Sequence, residues 1–284
     1  MTIVFAHGGV SARSPEGGPP SLAHCFHDAE PARSALDAVE LAVRALEDDE
    51  ELNAGFGAVL TLDGRVQLDA GISDGASGAF GGVATVTVRH PVTLARRVME
   101  QTPHVLFSQE GAMALAGGME RLDTTTAAQR RRWERAKREG VLDAARYPSP
   151  ESADTVGAVA LGDDGALAAA SSSGGVFGKM PGRVGDACIF GAGVYASSSA
   201  AVVGTGIGEL FIETLAAARA GRLIEDGMHP RKACEKVIAL LGERRTTSAG
   251  LLALDAEGRA GAAYRGRSLP VEGPDGPLEA ARMS

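Results

Sequence analysis

One stretch limits what this chain can become. Residues 154–175 read DTVGAVALGDDGALAAASSSGG. Thr155 opens a small, apolar, alternating run that ends near Leu161. The polar turn 162–165 follows. A second run, 166–170, leads into Ser171, Ser172 and Ser173, then Gly174 and Gly175. Two short apolar runs split by Asp-Asp-Gly predict a β-hairpin or two adjacent buried strands. Such a turn can bring a hydroxyl at the head of one strand beside a hydroxyl at the end of the next. Thr155 is thereby a candidate nucleophile and Ser173 a candidate helper. The alternative is an ordinary hairpin with Thr at a strand start, where β-branched residues are common.

Buried strands need a core, and composition says what kind. Hydrophobic residues make up 44% of the 284, but aromatics only 4%, so Ala, Val and Leu must build it. The 38 glycines, without a collagen-like period, call for many tight turns and close backbone approaches. The length allows one large domain or two ordinary ones. A net charge of −8 gives no electrostatic case for nucleic acid or an anionic membrane. Cys25, Cys188 and Cys234 are odd in number and widely spaced. They suggest reduced thiols in the cytoplasm, not a disulfide framework or a zinc site. The apolar run 2–6 stops at His7-Gly8-Gly9, too short for a signal peptide or a membrane span.

Along the chain, residues 2–6 predict a buried strand and 8–20 a loop. Ala35, Val39, Val43 and Leu46 lie at helical spacing, which predicts an amphipathic helix over 34–46. Residues 47–50 close it with negative charge, against the helix dipole. Residues 58–62 and 65–70 predict a hairpin around Asp63-Gly64, with 69–75 a polar stretch and 82–88 a strand. Helices are predicted over 92–101, after Pro91, and over 108–119. Residues 123–152 lack a core pattern and predict an exposed linker holding a surface helix at 129–139, with Arg130, Arg131 and Arg132 solvated. Beyond the hairpin, 179–186 is a turn-rich loop. Strands are predicted at 189–195 and 200–208, and helices at 209–220 and from Pro230 to 241. A last hairpin pairs 249–254 with 261–264. The order is neither a strict βαβ repeat nor all-β, and it suits stacked sheets covered by helices. The Gly-x-Gly at 206–208 lacks the pair of half-domains that a dinucleotide fold needs.

The motifs occur in order: His7-Gly8-Gly9, residues 35–40, 53–58 and 68–75, then 154–160, 171–175, 180–186, 191–193 and 205–209. Together they resemble the isoaspartyl peptidase and plant-type L-asparaginase family of N-terminal nucleophile hydrolases. The resemblance spans nearly the whole chain. It implies an α+β fold, a four-layer αββα sandwich, forming a single domain over 1–284. It implies self-cleavage between Asp154 and Thr155 into 1–154, which carries the polar linker, and 155–284. A Thr hydroxyl needs an adjacent base, and cleavage would supply one as the α-amine of Thr155.

The resemblance assigns further roles. Ser173 stands where the family usually has a supporting Thr. Thr205 and the Gly206 N–H match the oxyanion hole. Arg183 matches the clamp on the substrate α-carboxylate, and Asp186 the partner of its α-ammonium. Asn53 matches a supporting residue near the nucleophile. A structural sodium on backbone carbonyls near 53–58 is implied, as is a homodimer of αβ units. The implied reaction is hydrolysis at the β-carbonyl of isoaspartyl dipeptides and L-asparagine, releasing L-aspartate. The alternatives are a glycosylasparaginase-like amidohydrolase of the same fold and a catalytically silent structural or binding homologue. The chain departs from the family pattern at Val10 and Ser11, in a loop at 197–203 one residue shorter than in bacterial relatives, at 246–250 and over 266–284. Those departures bear on the pocket wall more than on the nucleophile.

Overall fold

The computed structural model describes residues 2–10, 20–29, 32–142, 154–245 and 248–284. Its first part runs β1 (Ile3–His7), α1 (Ala23–Ala29), α2 (Ala35–Asp48), β2 (Leu68–Asp74), β3 (Phe80–Val86), α3 (Pro91–Gln101), β4 (Leu106–Ser108), α4 (Gln109–Ala114) and α5 (Ala127–Arg138). The second runs β5 (Val156–Leu161), β6 (Leu167–Ser173), β7 (Val194–Ala196), β8 (Ala200–Gly206), α6 (Gly208–Thr214), α7 (Ala216–Glu225) and α8 (Pro230–Arg244). It ends with β9 (Ala249–Asp255), β10 (Ala260–Arg265), β11 (Val271–Gly273), β12 (Gly276–Pro277) and β13 (Ala281–Arg282). One sheet has the order β12-β11-β1-β5-β6-β2-β3-β4, the other β13-β10-β9-β8-β7.

Strand alternation explains the layering. In β5, Val156, Ala158 and Ala160 join the apolar layer under α2 and α3, while Val159 turns to the opposite sheet. In β9, Leu251 and Ala253 join the layer under α7 and α8, while Leu252 and Leu254 face between the sheets. A strand buried on both faces reads as a continuous apolar run, which is why these segments lack polar alternation. Three apolar layers separate helices, sheet, sheet and helices. The fold is the αββα sandwich, its inner layers built from Ala, Val and Leu.

The hairpin lies in the middle of the larger sheet. β5 and β6 pair antiparallel with Val156 opposite Ser172, so the next step of the register sets Thr155 against Ser173. The turn closes through Gly162 N–H to the Ala166 carbonyl, 2.8 Å, and Gly165 N–H to the Gly162 carbonyl, 2.9 Å. On its other edge β6 pairs with β2, where Asp69 lies opposite Ser173. Cross-strand neighbours share a face, so Thr155, Ser173 and Asp69 form a row.

The acidic end of α2 finds its reason in tertiary structure. Buried Glu47 accepts from Val92 N–H at the start of α3, 3.1 Å, and lies 3.3 Å from His90 Nδ1. Asp48 pairs with Arg89 at 2.7 Å. The acids thus sit at the N-terminus of α3, where its dipole favours them, and burial raises the Glu47 carboxyl.

Several expectations are corrected. Residues 58–62 and 65–67 form no ladder with each other, although the Asp63-Gly64 turn exists. Leu62 N–H donates to the Lys179 carbonyl and Gly178 N–H to the Leu60 carbonyl, both 2.8 Å, so this segment pairs with a distant loop. The polar stretch 69–75 is mostly β2, buried between β6 and β3. The helix expected over 108–119 is only α4. In the expected strand 189–195 only Val194 and Tyr195 are extended, because the Gly191 and Ala192 carbonyls turn to accept from Ala218 and Ala217. That capture starts a new helix and breaks the one expected over 209–220 at Leu215, whose φ is +50°. Residues 200–203 belong to β8, so the loop proper is 197–199. α5 is the expected surface helix, mostly exposed, but it is docked at two points. Trp133 Nε1 donates to the Thr61 carbonyl, and the Arg132 guanidinium stacks 4.1 Å from the Phe177 ring centre. Arg132 is therefore half-buried, not solvated. Ser11, Thr246, Thr247 and linker residues 143–152 lie outside the described residues.

Candidate active site

Thr155 enters β5 at 2% exposure, with Ser173 at 3% and Thr205 fully buried. Thr155 Oγ1 donates to Ser173 Oγ at 3.1 Å. Ser173 Oγ also accepts from Gly175 N–H at 2.9 Å, which leaves its own proton for the Asp154 carbonyl at 3.2 Å. Asn53 Nδ2 donates to that same carbonyl at 2.8 Å and to the Gly175 carbonyl at 2.7 Å. Asn53 Oδ1 accepts from Val59 N–H at 3.0 Å, fixing the amide's orientation. The carbonyl between Asp154 and Thr155 therefore carries two donors, which is what a developing oxyanion requires.

Thr205, near the end of β8, touches the nitrogen of that peptide. Its Oγ1 accepts from Thr155 N–H at 3.2 Å and from Val10 N–H at 3.3 Å. With both acceptor positions used, its hydroxyl proton remains to be donated. Gly206 adjoins it with φ +141°.

His7 lies on β1 opposite Gly157. Burial drives its imidazole down to about 3, opposed by the nearby Thr155 backbone. Neither ring nitrogen has a partner of normal hydrogen-bond geometry. A neutral ring with so low a pKa is a poor general base near neutrality.

Arg183 and Asp186 sit on one loop, and both face Gly208 at the start of α6. Arg183 donates from Nε and Nη2 to Glu209, at 2.9 and 2.8 Å. Burial works against the guanidinium's charge, and the Glu209 pairing more than offsets it. This fork leaves Nη1 on the side of Gly175, where a Cβ would stand 3.1 Å from it. Only a glycine, here with φ +75°, leaves that approach open. Asp186 is 3% exposed and its Oδ2 has no hydrogen-bond partner among the described residues. Burial pushes its carboxyl up to about 7, against the pull of Arg183. A buried carboxylate with one unpartnered oxygen thus lies beside a guanidinium whose Nη1 is not used by Glu209.

The sequence reading brought up Thr155, Ser173, Asn53, Thr205, Gly206, Arg183 and Asp186. It missed Glu209 as the partner that orients Arg183, and the backbone donors Val10 and Gly175. Glu209 had one signal, an acid directly after Gly-x-Gly at a helix start. The backbone donors had none. Each carbonyl from Asn53 to Ala58 accepts one hydrogen bond, from Gly174, Gly57, Ala58, Thr125, Gln129 and Thr125 in turn. No cluster of metal-ligating side chains is present among the described residues. All three cysteines are buried, and burial raises the thiol pKa of Cys188 and Cys234. No helix among the described residues is long and apolar enough to cross a membrane. A groove of about 730 Å³ between α7 and α8 shares no residue with this site.

A four-layer αββα sandwich with a hydroxyl residue heading a central strand defines the class as the N-terminal nucleophile hydrolases. Sequence comparison narrows it. The family model described as Asparaginase matches residues 23–270. The chain is 46% identical over 241 residues to an isoaspartyl peptidase of Escherichia coli, covering 81% of this chain and 75% of that one. It is 43% identical over 246 residues to a plant-type L-asparaginase of Pyrobaculum calidifontis, covering 83% and 81%. To a plant-type L-asparaginase of Thermococcus kodakarensis it is 38% identical over 283 residues, covering 92% of each. The chain belongs to the asparaginase family that includes the isoaspartyl peptidases and plant-type L-asparaginases.

Proposed function

We propose that the chain is a self-processing threonine hydrolase. It cuts at the β-carbonyl of aspartyl groups, in isoaspartyl dipeptides and L-asparagine, and releases L-aspartate. One observation carries the reading: Thr155 Oγ1, Ser173 Oγ and the Asp154 carbonyl form a single hydrogen-bonded run, with Asn53 on the same carbonyl.

In the first stage Thr155 Oγ1 attacks the Asp154 carbonyl carbon and passes its proton towards Ser173. Charge on the carbonyl oxygen is held by Asn53 Nδ2 and the Ser173 hydroxyl. The C–N bond breaks and the Thr155 nitrogen leaves as an amine, taking up a proton. Water hydrolyses the resulting ester, giving the Asp154 carboxylate and restoring the hydroxyl. Before this step the nitrogen is an amide and cannot act as a base. Afterwards it is an α-amine, a group whose ordinary pKa is about 7.7–8.0, suited to accept the hydroxyl proton as His7 is not.

In the second stage the same oxygen attacks the substrate's β-carbonyl. Arg183 takes the α-carboxylate and the Asp186 carboxylate the α-ammonium. Thr205 and the Gly206 N–H stabilise the oxyanion. Ammonia or an amino acid leaves, and water releases L-aspartate from the acyl-enzyme. The relatives' names, isoaspartyl peptidase and plant-type L-asparaginase, support this substrate pair. A sodium ion on the backbone carbonyls of 53–58 is part of the reading. Carbonyl oxygens are hard ligands, each able to accept twice, and a bound ion would stiffen the loop that holds Asn53. A homodimer of αβ units is also proposed, with exposed Val105, Leu106, Phe190 and Leu215 as apolar surface available for contact. We assign the protein to the cytoplasm on the odd number and wide spacing of its cysteines.

The test is incubation of purified, processed protein with L-asparagine and with β-Asp-Leu, followed by product analysis. L-aspartate is expected from both. Release from neither, by a chain that has cut itself, would refute the substrate assignment.

A further inference from the structure

The larger sheet holds a buried ion pair that the chemistry above does not use. Asp69 on β2 and Lys179 in the loop after β6 both have side chains with no exposure, and Lys179 Nζ lies 3.8 Å from Asp69 Oδ2. Lys179 Nζ also donates to the Gln67 carbonyl at 2.8 Å. Burial lowers the pKa of this ammonium, and Asp69 opposes that shift. A pair so thoroughly desolvated is weak evidence for stability, because desolvation consumes most of the Coulombic gain. Its hydrogen bonds say what it does.

Asp69 Oδ2 accepts from Gly185 N–H at 2.8 Å. Gly185 lies between Arg183 and Asp186 on the loop that carries both. Asp69 Oδ1 accepts from Thr85 N–H at 2.9 Å. Thr85 has φ +55°, a left-handed backbone that a β-branched residue rarely adopts. It sits where the register between β2 and β3 slips, beside Asp69 itself. One carboxylate thus ties an irregular, strained strand to the substrate-facing loop. A Cβ on Gly185 would stand 2.9 Å from Arg183 Nη1 and 3.2 Å from Asp69 Oδ2. A Cβ on Gly175 would stand 2.8 Å from Lys179 Nζ and 3.1 Å from Arg183 Nη1. Asp69 Oδ2 and Arg183 Nη1 thus border Gly185 together, and Lys179 Nζ and Arg183 Nη1 border Gly175 together.

We infer that Asp69, neutralised by Lys179, is the positioning residue for the amino-acid clamp, holding Arg183 and Asp186 to the substrate's charged end through Gly185. The inference rests on the proposed reading of Arg183 and Asp186 as that clamp. Asp69 hydrogen-bonds to none of Thr155, Asn53, Ser173 and Thr205 among the described residues, so self-cleavage and substrate binding separate.

The experiment compares wild type, Asp69→Asn and the double variant Asp69→Asn with Lys179→Met. Self-cleavage is followed on denaturing gels, and steady-state rates are measured with L-asparagine. Asp69→Asn keeps the shape but presents an NH2 group to one of the two N–H donors. Its KM is expected to rise about tenfold or more, as for loss of a hydrogen bond to a charged group. Its kcat and self-cleavage rate should stay within about threefold of wild type, as loss of ground-state binding predicts. The double variant removes both buried charges and should regain thermal stability while KM stays high. If Asp69→Asn fails to fold, the double variant carries the test. An unchanged KM in the folded variant would overturn the inference. So would a double variant whose KM returns to wild type, which would leave only charge balance. Loss of self-cleavage in both folded variants would overturn it too. Failure of the wild type to cut itself or to release aspartate would instead refute the underlying reading.

Discussion

Replacing Asn53 by Ala tests the self-cleavage geometry at one atom. The side chain makes three hydrogen bonds: Nδ2 to the Asp154 carbonyl, Nδ2 to the Gly175 carbonyl, and Oδ1 from Val59 N–H. The first is one of two donors on the oxygen that gains charge as Thr155 attacks. Loss of one preorganised donor of this kind slows a reaction about 10²–10³-fold. The other two contacts are structural. Their loss strands a buried carbonyl and a buried N–H, at about 1–3 kcal/mol each. The variant should therefore melt lower and cut itself far more slowly. The Asn53 backbone carbonyl, which accepts from Gly174 N–H at 2.9 Å, is retained and keeps the loop attached. The assay is a time course of freshly purified precursor on denaturing gels, with Thr155→Ala as the uncut control and a melting curve to establish folding. A folded Asn53→Ala precursor that processes within about threefold of wild type would refute the role, since threefold is under 1 kcal/mol of barrier.

Three further outcomes follow from the site. Ser173→Ala removes the acceptor of the Thr155 proton and of Gly175 N–H, and gel time courses should show cleavage slowed about 10²-fold; Ser173→Thr keeps the hydroxyl and should stay within about tenfold, since only packing strain is added. Arg183→Lys cannot reproduce the fork to Glu209, so steady-state kinetics on processed enzyme should show KM for L-asparagine raised about tenfold or more with self-cleavage unchanged. Asp186 must be ionised to pair with an ammonium, and with its carboxyl raised to about 7, kcat/KM should fall as pH drops through that value. Asp186→Asn should remove this ionisation from the profile. The sign for stability is opposite. A carboxyl raised in the fold holds its proton between its unfolded value and about 7, so its contribution is present at low pH and lost as pH rises through that window.

Much of the site was legible because it is local or periodic. The Asp-Asp-Gly turn and the two apolar runs dictate a hairpin, and the register of that hairpin sets Thr155 against Ser173. The scarcity of aromatics foretold a core of Ala, Val and Leu. Arg183 and Asp186 became legible as a pair only through family resemblance, because a loop charge alone has no signature. What stayed hidden depends on long-range partners. The break at Leu215 comes from carbonyls at Gly191 and Ala192 that capture the start of α7. The failed hairpin at 58–70 comes from pairing with Leu60 and Leu62 by the loop around Lys179. Asp69 and Lys179 read in sequence as ordinary polar residues, and only the stacking of β2, β6 and that loop buries them together.

The central claim is that Thr155 is made into an N-terminus by its own hydroxyl. Intact-mass and N-terminal analysis of purified wild type and Thr155→Ala, sampled over a prolonged incubation, tests it directly. The account predicts two fragments, 1–154 and 155–284, the second beginning Thr-Val-Gly-Ala, with the variant uncut. A folded wild-type chain that stays whole, a cut at another bond, or cleavage of Thr155→Ala at the wild-type rate would contradict it.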